Sequence, residues 1–263
     1  MDRFGEVDMP KQVALVTGAS RGIGAATARR LARDGMAVAI NSHPDERRVA
    51  EAGEVAAAIR TDGGEAAVYA ADVSDSAAVD AMFGRCEEEL GPVTVLVSNA
   101  MVTRRAVWSD ITEDDWDQIM AVNLRGAFLC SRRAFGAGPG PGAAAGGALI
   151  TISSVLARVG AADSVPYVTT KAGLIGFTRS MARALGPAGV RVNSVMPGAI
   201  LTEEELEAFP DQTANSREAL SKQALQRRGV PEDIAGVVSF LAGPDSAFMA
   251  GQTVCVDGGW VLC

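Results

Sequence analysis

A tyrosine and a lysine four positions apart, Tyr167 and Lys171, are the residues of this 263-residue chain best suited to acid–base chemistry. This spacing puts both side chains on one face of a helix, and Pro166 suits the first turn of that helix. A lysine so near a helix N-terminus opposes the macrodipole, so helix stability does not explain its position. A nearby ammonium favours the phenolate, and we expect it to lower the tyrosine pKa from about 10 toward working pH. Without other motifs, the pair would also fit an ordinary amphipathic helix.

A glycine-rich turn near the start of the chain, TGASRGIG at 17–24, is typical of a dinucleotide site. Gly18 permits a tight turn, Gly22 lets the backbone approach a ligand, and Gly24 lets a helix pack on a strand. The next helix N-terminus presents unpaired N–H groups and partial positive charge to a phosphate. A turn that needs glycines only for its geometry is the alternative. The candidate cofactor residues of the turn are Gly18, Ser20, Arg21, Gly22, Ile23 and Gly24.

The end of the second apolar run bears on which dinucleotide binds. It reads Asn41-Ser42-His43 and has no carboxylate, whereas an NAD site usually has an acid there that accepts from the ribose 2′-OH. Arg21 is suited instead to pair with a 2′-phosphate. The sequence therefore favours NADP over NAD, and Asn41, Ser42 and His43 join the candidate cofactor residues. A solvated turn residue is the alternative for Arg21.

Short apolar runs alternate with helical patterns along the chain, and these elements must position the candidate residues. Most of the runs are continuously apolar, as expected for parallel strands covered on both faces. The alternation predicts an α/β fold with a single doubly wound (Rossmann-type) parallel seven-stranded sheet and helices on both faces. The predicted strands are 13–17, 37–41, 66–70, 93–97, 148–152, 191–195 and 253–256. The predicted helices are 22–34, 45–61, 75–90, 113–135, 165–186 and 231–242.

The composition does not shift along the chain, so residues 1–263 are expected to form a single domain. Two connections within it are distinctive. Residues 136–147, GAGPGPGAAAGG, enter a strand from its amino end, away from the edge where parallel sheets bind ligands. We interpret them as a flexible connector. Residues 199–228 leave the carboxyl end of a strand and mix acidic, polar and apolar side chains. They predict a lid over the ligand crevice, with a plain surface excursion as the alternative.

Composition excludes several classes of function. The net charge of −8, from 24 Lys and Arg against 32 Asp and Glu, argues against a general nucleic-acid or membrane-surface binder. His43 is the single histidine, so a His-rich zinc site is impossible and no metal is expected. The four cysteines form no C-x-x-C pair and suit reduced thiols. Because neither a signal-peptide pattern nor a membrane-spanning run is visible, we expect a cytoplasmic protein.

Several short motifs occur in one order along the chain. They are TGASRGIG, Asp72-Val73, Ser98-Asn99-Ala100, Asn123 in VNLRG, Ser154 in TISSV, Tyr167-x-x-x-Lys171, Pro197-Gly198 and VDGG at 256–259. As a set they resemble the short-chain dehydrogenase/reductase family, over about residues 11–259. Ser98 and Met101 depart from the family pattern, which usually has Asn and Gly at these positions.

The resemblance implies a role for each matching residue. Tyr167 would donate a proton to a carbonyl oxygen or remove one from an alcohol, and Ser154 would hydrogen-bond the same oxygen. Asn123 would support a water linked to Lys171, which completes a proton relay. Asp72 would meet the adenine edge with Val73 beside it, and Asn99 and Ala100 would line the adenine ribose. The remaining cofactor residues are Tyr167, Lys171, Pro197, Gly198, Ile200 and Thr202.

Within the family, the segments KAGLIGFTRSMARAL at 171–185 and Val102-Thr103-Arg104 resemble β-ketoacyl-acyl-carrier-protein reductases and related ketoreductases. The expected pocket is mainly apolar and suits a moderately hydrophobic ketone or alcohol. Arg104 and Arg105 would meet an acidic carrier protein or form a solvated basic pair. The candidate pocket residues are Met101, Val102, Ser154, Leu156, Val159 and Ile200.

These inferences lead to an NADP-dependent oxidoreductase that transfers a hydride between a nicotinamide cofactor and a ketone or secondary alcohol. A ketoreductase with Tyr167 as general acid–base is favoured. The alternatives are a catalytically inactive nucleotide-sensing protein and an NAD-dependent alcohol or sugar dehydrogenase working in the oxidative direction. The resemblance also implies a homotetramer with helix interfaces around 113–135 and 165–186. Trp260, Val261 and Leu262 would join a second interface or cover a neighbour's pocket.

Overall fold

Seven parallel strands form one sheet in the order β3-β2-β1-β4-β5-β6-β7. The computed structural model describes residues 12–136 and 147–262. The predicted fold class is confirmed, and every predicted strand is present with its ends shifted by two residues at most. The strands are β1 (Val13–Val16), β2 (Ala37–Ser42), β3 (Ala66–Ala70), β4 (Val95–Ser98), β5 (Ala148–Ile152), β6 (Arg191–Pro197) and β7 (Thr253–Val256).

Helices cover both faces of the sheet. Alternate residues of each strand point to opposite faces, so Ala14 packs in one core with α1, α2 and α10, and Leu15 packs in another with α3, α5 and α7. The helices are α1 (Gly22–Arg33), α2 (Glu46–Thr61), α3 (Ser76–Glu89), α4 (Glu113–Met120), α5 (Gly126–Phe135), α6 (Leu156–Val159), α7 (Val165–Leu185), α8 (Glu203–Ala208), α9 (Thr213–Lys222) and α10 (Pro231–Ala242). Short 3₁₀ turns lie at Trp108–Asp110, Gly186–Ala188 and Pro244–Ser246.

Local sequence explains where several helices begin and end. The side-chain oxygens of Asp45, Asp75 and Thr112 accept hydrogen bonds from first-turn N–H groups, which cap α2, α3 and α4. Gly35 and Gly63 follow α1 and α2 with φ of 91° and 85°, a backbone conformation that favours glycine. The predicted helix boundaries therefore match the structure closely at these positions.

The single helix predicted over 113–135 is interrupted. A π-helical turn, Ala121–Arg125, separates α4 from α5. Its central residue, Asn123, turns inward and hydrogen-bonds the backbone of Val102. Gly126 then passes so close to the sheet edge that an added Cβ would lie 2.8 Å from Val73 Cγ2. These tertiary contacts, rather than the local helical pattern, account for the extra residue in the turn.

The order of the strands creates a crevice at the centre of the sheet. The chain runs outward from β1 to β3 on one side and then returns to β4 beside β1, so the connections after β1 and β4 diverge. Such a switch point is where doubly wound sheets bind ligands, beyond the carboxyl ends of the strands. Apart from its first and last residues, the predicted connector at 136–147 lies outside the described residues. Within the described ranges, no helix is long and apolar enough to cross a membrane.

Candidate active site

A cleft of about 1180 Å³ opens at the carboxyl ends of the strands and is lined by most of the candidate residues. The lining cofactor candidates are Gly18, Ser20, Arg21, Gly22, Ile23, Gly24, Asn41, His43, Asp72, Val73, Asn99, Ala100, Tyr167, Lys171, Pro197, Gly198, Ile200 and Thr202. The lining pocket candidates are Met101, Val102, Ser154, Leu156, Val159 and Ile200. Candidates scattered over some 180 positions of sequence are thus brought to one cavity.

Two candidates are placed differently from the prediction. Ser42 is fully buried at the end of β2 and lies outside the lining of the cleft, so its assignment to the cofactor site stays a prediction without a contact among the described residues to support it. Asn123 also lies behind the cleft wall, 2% exposed. Asn41, which precedes Ser42 in β2, does line the cleft. Its side-chain amide also donates to the carbonyls of Tyr69 and Ala71, at 3.2 and 3.1 Å. Asn41 therefore joins β2 to the end of β3 as well as facing the cleft.

The catalytic candidates meet where β5 ends and α7 begins. Lys171 is buried, and its Nζ donates to the carbonyl oxygen of Ile152 at 2.8 Å. The hydroxyl of Ser153 donates in turn to the carbonyl oxygen of Lys171, also at 2.8 Å, so helix and strand end are joined twice. Lys171 Nζ lies 5.5 Å from the centre of the Tyr167 ring. Ser154 follows at the rim of the cleft and hydrogen-bonds the tyrosine side chain.

Burial dominates the protonation of this cluster. It lowers the pKa of the Lys171 ammonium to about 8. It also raises the pKa of the Tyr167 phenol above its ordinary value, although the hydrogen bond with Ser154 acts in the opposite direction. The expectation of a lowered tyrosine pKa is therefore wrong for this arrangement. The reason is that the lysine ammonium donates to the Ile152 carbonyl, while the phenol lies in a desolvated position.

The side chain of Asn123 holds the loop that carries the pocket candidates. Its Nδ2 donates to the carbonyl oxygen of Val102 at 2.9 Å, and its Oδ1 accepts from the Val102 N–H at 2.7 Å. A third bond, at 3.2 Å, joins Nδ2 to Thr170 Oγ1 on α7. Asn123 therefore ties the π-helical turn to the loop after β4 and to α7. The water that would link it to Lys171 stays a prediction.

The glycine turn is built as the sequence predicts. Gly18 and Gly22 have φ of 62° and 57°, which favour glycine. At Gly24 an added Cβ would lie 2.3 Å from the carbonyl oxygen of Gly18, so only glycine fits without a shift of backbone. The side chain of Asn99 donates to the carbonyls of Thr17 and Gly18 at 2.9 and 3.0 Å. The turn is thereby held against the end of β4.

Acidic side chains of the 199–228 segment contact the donors of the glycine turn. Glu203 Oε2 accepts from the N–H of Gly22 at 3.0 Å. Arg21 pairs with Glu207 at 2.7 Å and with Glu204 at 3.9 Å. Anionic groups thus already occupy the positions where the turn offers its backbone N–H and its guanidinium. The donor set therefore fits a ligand that carries phosphates.

The 199–228 segment also supplies several lining residues that sequence analysis did not name individually. It folds into α8 and α9, and Arg228 pairs with both carboxylate oxygens of Glu205 at 2.7 Å. The signal in the sequence was the acidic run at 203–205 after Thr202, a residue type that caps helices. The additional lining residues of the cleft include Asp45, Arg48, Ser74, Thr103, Arg105, Gln118, Glu204, Glu205, Phe209, Asn215, Glu218, Lys222, Arg228 and Trp260.

Comparisons with known proteins agree with the fold and the cleft. A family model described as enoyl-(acyl carrier protein) reductase matches residues 18–261. The short-chain reductase protein NovJ of Streptomyces niveus is 41% identical over 253 residues, covering 95% of this chain and 94% of that protein. A 3-oxoacyl-[acyl-carrier-protein] reductase of Staphylococcus aureus is 39% identical over 249 residues, covering 95% and 98%. A short-chain dehydrogenase from Burkholderia cenocepacia, solved in complex with NADP, has a TM-score of 0.85 and 36% identity, covering 96% and 99%.

A parallel sheet with a glycine-rich anion site and an adjoining Ser-Tyr-Lys cluster defines a nucleotide-dependent oxidoreductase. The chain belongs to the short-chain dehydrogenase/reductase family. It is an NAD(P)-dependent enzyme of this family, and its likeness to ketoreductases of the 3-oxoacyl type, first seen in its motifs, is confirmed.

Burial of Lys171 predicts a specific pH dependence of stability. Because its pKa is about 8 in the folded protein against an ordinary 10.5, the unfolded chain binds more protons between these values. Stability relative to Lys171→Met should be constant below pH 8 and rise by about 2 kcal/mol toward pH 10. Urea unfolding at several pH values measures this difference. Lys222→Met, which removes an exposed lysine, is the matched control, and a stability difference between wild type and Lys171→Met that does not change with pH would contradict the prediction.

Proposed function

We propose that the protein is an NADP-dependent ketoreductase, in which Tyr167 is the general acid–base for hydride transfer between the cofactor and a ketone or secondary alcohol. The observation that carries the proposal is the shared cleft. One end presents Ser154, Tyr167 and Lys171, and the other presents the anion-binding glycine turn with Arg21. A cofactor and a carbonyl substrate need these two kinds of group within one cavity.

The cofactor site is proposed from the donors that the cleft presents. The N–H of Gly22 at the start of α1 would bind the diphosphate, and Arg21 would bind the 2′-phosphate that distinguishes NADP from NAD. His43 and Asp72 would flank the adenosine end, and Asn99 with Ala100 would line the ribose. When bound, the cofactor supplies or accepts the hydride. The NADP bound by the Burkholderia cenocepacia relative supports the same choice here.

Tyr167 would move the proton. Its raised pKa keeps the phenol protonated at neutral pH, the form that donates to a carbonyl oxygen during reduction. Ser154 would donate a second hydrogen bond to that oxygen and hold it beside the phenol. With its pKa near 8, Lys171 is mostly charged at neutral pH and would stabilise the phenolate that remains. Asn123 acts here as a positioning residue, because it holds the backbone of Val102.

The substrate is proposed to be a moderately hydrophobic ketone. Met101, Val102, Leu156, Val159 and Ile200 line the mouth with apolar side chains. The Staphylococcus aureus relative named for 3-oxoacyl chains on a carrier protein supports an acyl-type ketone. Residues 199–228 would act as the lid over this mouth.

The basic pair expected to meet a carrier protein has partners within the chain. Arg104 pairs with Asp115 at 2.5 Å, and Arg105 lies over the ring of Phe209 at 4.9 Å, where it also lines the cleft. Neither residue is simply a free solvated cation. The contacts therefore favour a role at the substrate mouth for Arg105 over a docking role for the pair.

Replacement of Tyr167 by Phe tests the acid–base assignment. Removing the phenol hydroxyl should lower NADPH-dependent reduction of a ketone panel by at least about 100-fold, because general acid catalysis contributes on that scale. Binding of NADPH, followed by fluorescence, should change little. Tyr69→Phe is the matched control, since this second tyrosine lies on the edge strand β3 outside the lining of the cleft and donates to Glu89 at 3.0 Å. Near-normal turnover by Tyr167→Phe would refute the role.

Replacement of Arg21 by Ala tests the choice of cofactor. Loss of a charge-assisted contact should weaken NADPH binding by about tenfold or more and leave NADH binding nearly unchanged. Equilibrium titration of both dinucleotides provides the comparison. Arg33→Ala, at the other end of α1, serves as the charge-matched control. Equal weakening of NADH and NADPH would remove the argument for a 2′-phosphate site.

We also propose a homotetramer that uses the helices at 113–135 and 165–186. Trp116 on α4 and Phe128 on α5 are 38% and 45% exposed, which is unusual for large apolar side chains. Trp260 is expected from the sequence to join a second interface or to cover the pocket of a neighbouring chain. In this structure it lines the cleft of its own chain.

Light scattering tests the assembly directly. The expected mass is about four times the 27.1 kDa of one chain. Trp116→Glu together with Phe128→Glu should shift the mass downward, because two charges would have to be buried at the interface. The matched change Val107→Glu, at an exposed position outside these helices, should not. A monomeric wild-type protein would refute the proposal.

A further inference from the structure

The acidic face of α8 binds the two anchors that the proposed function assigns to the cofactor's phosphates. Glu203 Oε2 accepts from the N–H of Gly22 at 3.0 Å. Glu207 Oε2 accepts from Arg21 at 2.7 Å, and its other oxygen accepts from Arg47. Two carboxylates from one short helix therefore contact two separate anchors on the floor of the cleft.

The two anchors differ in what they would recognise. The N–H of Gly22 stands at the start of the 12-residue helix α1, where a diphosphate common to both dinucleotides would bind. Arg21 and Arg47 come from different elements, the glycine turn and the first turn of α2, yet they converge on the single carboxylate of Glu207. Only a dinucleotide with a 2′-phosphate offers a comparable anionic group to this second anchor.

The contacts of Glu207 are strong enough to keep its charge. Hydrogen bonds from Arg21 and Arg47 hold the pKa of the Glu207 carboxyl below its ordinary value. The side chain of Arg21 is 15% exposed, whereas that of Glu207 is 47% exposed. The guanidinium is therefore the fixed and sheltered partner, and the carboxylate is the partner that is able to leave.

A carboxylate and a phosphate cannot share these donors. One N–H directs its hydrogen at one acceptor, and two anions at contact distance repel each other. Any ligand that binds the anchors must therefore displace the lid carboxylates. The ligand therefore binds more weakly than it would to free anchors, by the free energy of the carboxylate contacts that it must break.

We propose that α8 is an intramolecular competitor for the cofactor anchors, and that Glu207 is a specificity-determining residue that sets the preference between NADP and NAD. This inference rests on the proposed function, because it takes the cleft as a dinucleotide site. Glu203 lowers the affinity for both dinucleotides, since both carry the diphosphate. Glu207 lowers the affinity for NADP alone, since NAD leaves the Arg21–Glu207–Arg47 contact in place.

Direct binding of each dinucleotide to single-charge variants of the full chain separates these effects without any measurement of turnover. Glu207→Gln should tighten NADPH binding about threefold to fivefold and leave NADH within experimental error, because an exposed ion pair contributes on that scale. Glu203→Gln should tighten both by a similar factor. Asp211→Asn makes the same charge change in the same segment, at an exposed position outside the lining of the cleft where its carboxylate accepts from the N–H of Thr213, and should alter neither. Isothermal titration calorimetry gives the dissociation constants, and thermal unfolding verifies that each variant is folded.

The outcomes distinguish the two levels of inference. A selective gain for NADPH in Glu207→Gln, with a shared gain in Glu203→Gln, supports the proposal. An equal gain for both dinucleotides in Glu207→Gln, no gain, or a loss for NADPH overturns it while the proposed function stands. Wild-type protein that binds neither dinucleotide overturns the proposed function and this inference together.

Discussion

The join between β1 and β4 is the constraint on which the site depends. Thr17 Oγ1 accepts from the N–H groups of Asn99 and Ala100 at 2.9 and 3.0 Å, and the Asn99 amide returns two bonds to the turn. Backbone at Gly18 approaches Ala100 so closely that an added Cβ would lie 2.8 Å from its Cα. This contact sets the turn at the switch point of the sheet, and the cleft opens above it.

The catalytic side of the cleft is organised by burial of a charge. Lys171 carries an ammonium that is only 2% exposed, and burying such a group is costly unless it finds an acceptor. Its bond to the Ile152 carbonyl supplies one and at the same time fixes the start of α7 against the end of β5. The register of Tyr167 at the cleft therefore follows from the position of a lysine one helical turn later. Burial of the same ammonium also lowers its pKa to about 8.

Much of this could be predicted from the sequence because the relevant signals are local. Buried parallel strands are continuously apolar, helix caps are Asp or Thr, and glycines mark the turns, so element types and ends were predictable. The order of the motifs was enough to predict that Ser154, Tyr167 and Lys171 lie in one cavity. What could not be predicted depends on partners distant in sequence. The π-helical turn exists because Asn123 bonds Val102, and Ser42 is buried because β3 and the glycine turn enclose the end of β2.

The protonation of Tyr167 shows the same limit. Spacing along a helix identifies the lysine as its neighbour, but the pKa depends on how much solvent the fold removes from each group. Burial is the largest influence on both groups, and it raises the pKa of the tyrosine and lowers the pKa of the lysine. The Tyr-x-x-x-Lys motif therefore identifies the candidate reacting residues, but it does not specify their pKa values.

The net charge of the chain does not describe the local charges around the cleft. A chain with a net charge of −8 repels anions at long range, but screening confines that effect to about 10 Å. Within the cleft, the start of α1 and the side chain of Arg21 supply local positive charge, and Arg47 lies beyond the lining, where it pairs with Glu207. Carboxylates of α8 lie against these positive groups, because Glu203 accepts from the N–H of Gly22 and Glu207 pairs with Arg21. Part of the protein's acidity is thus located against its own cationic anchors, which is why we propose that the balance between dinucleotides depends on α8 as well as on the glycine turn.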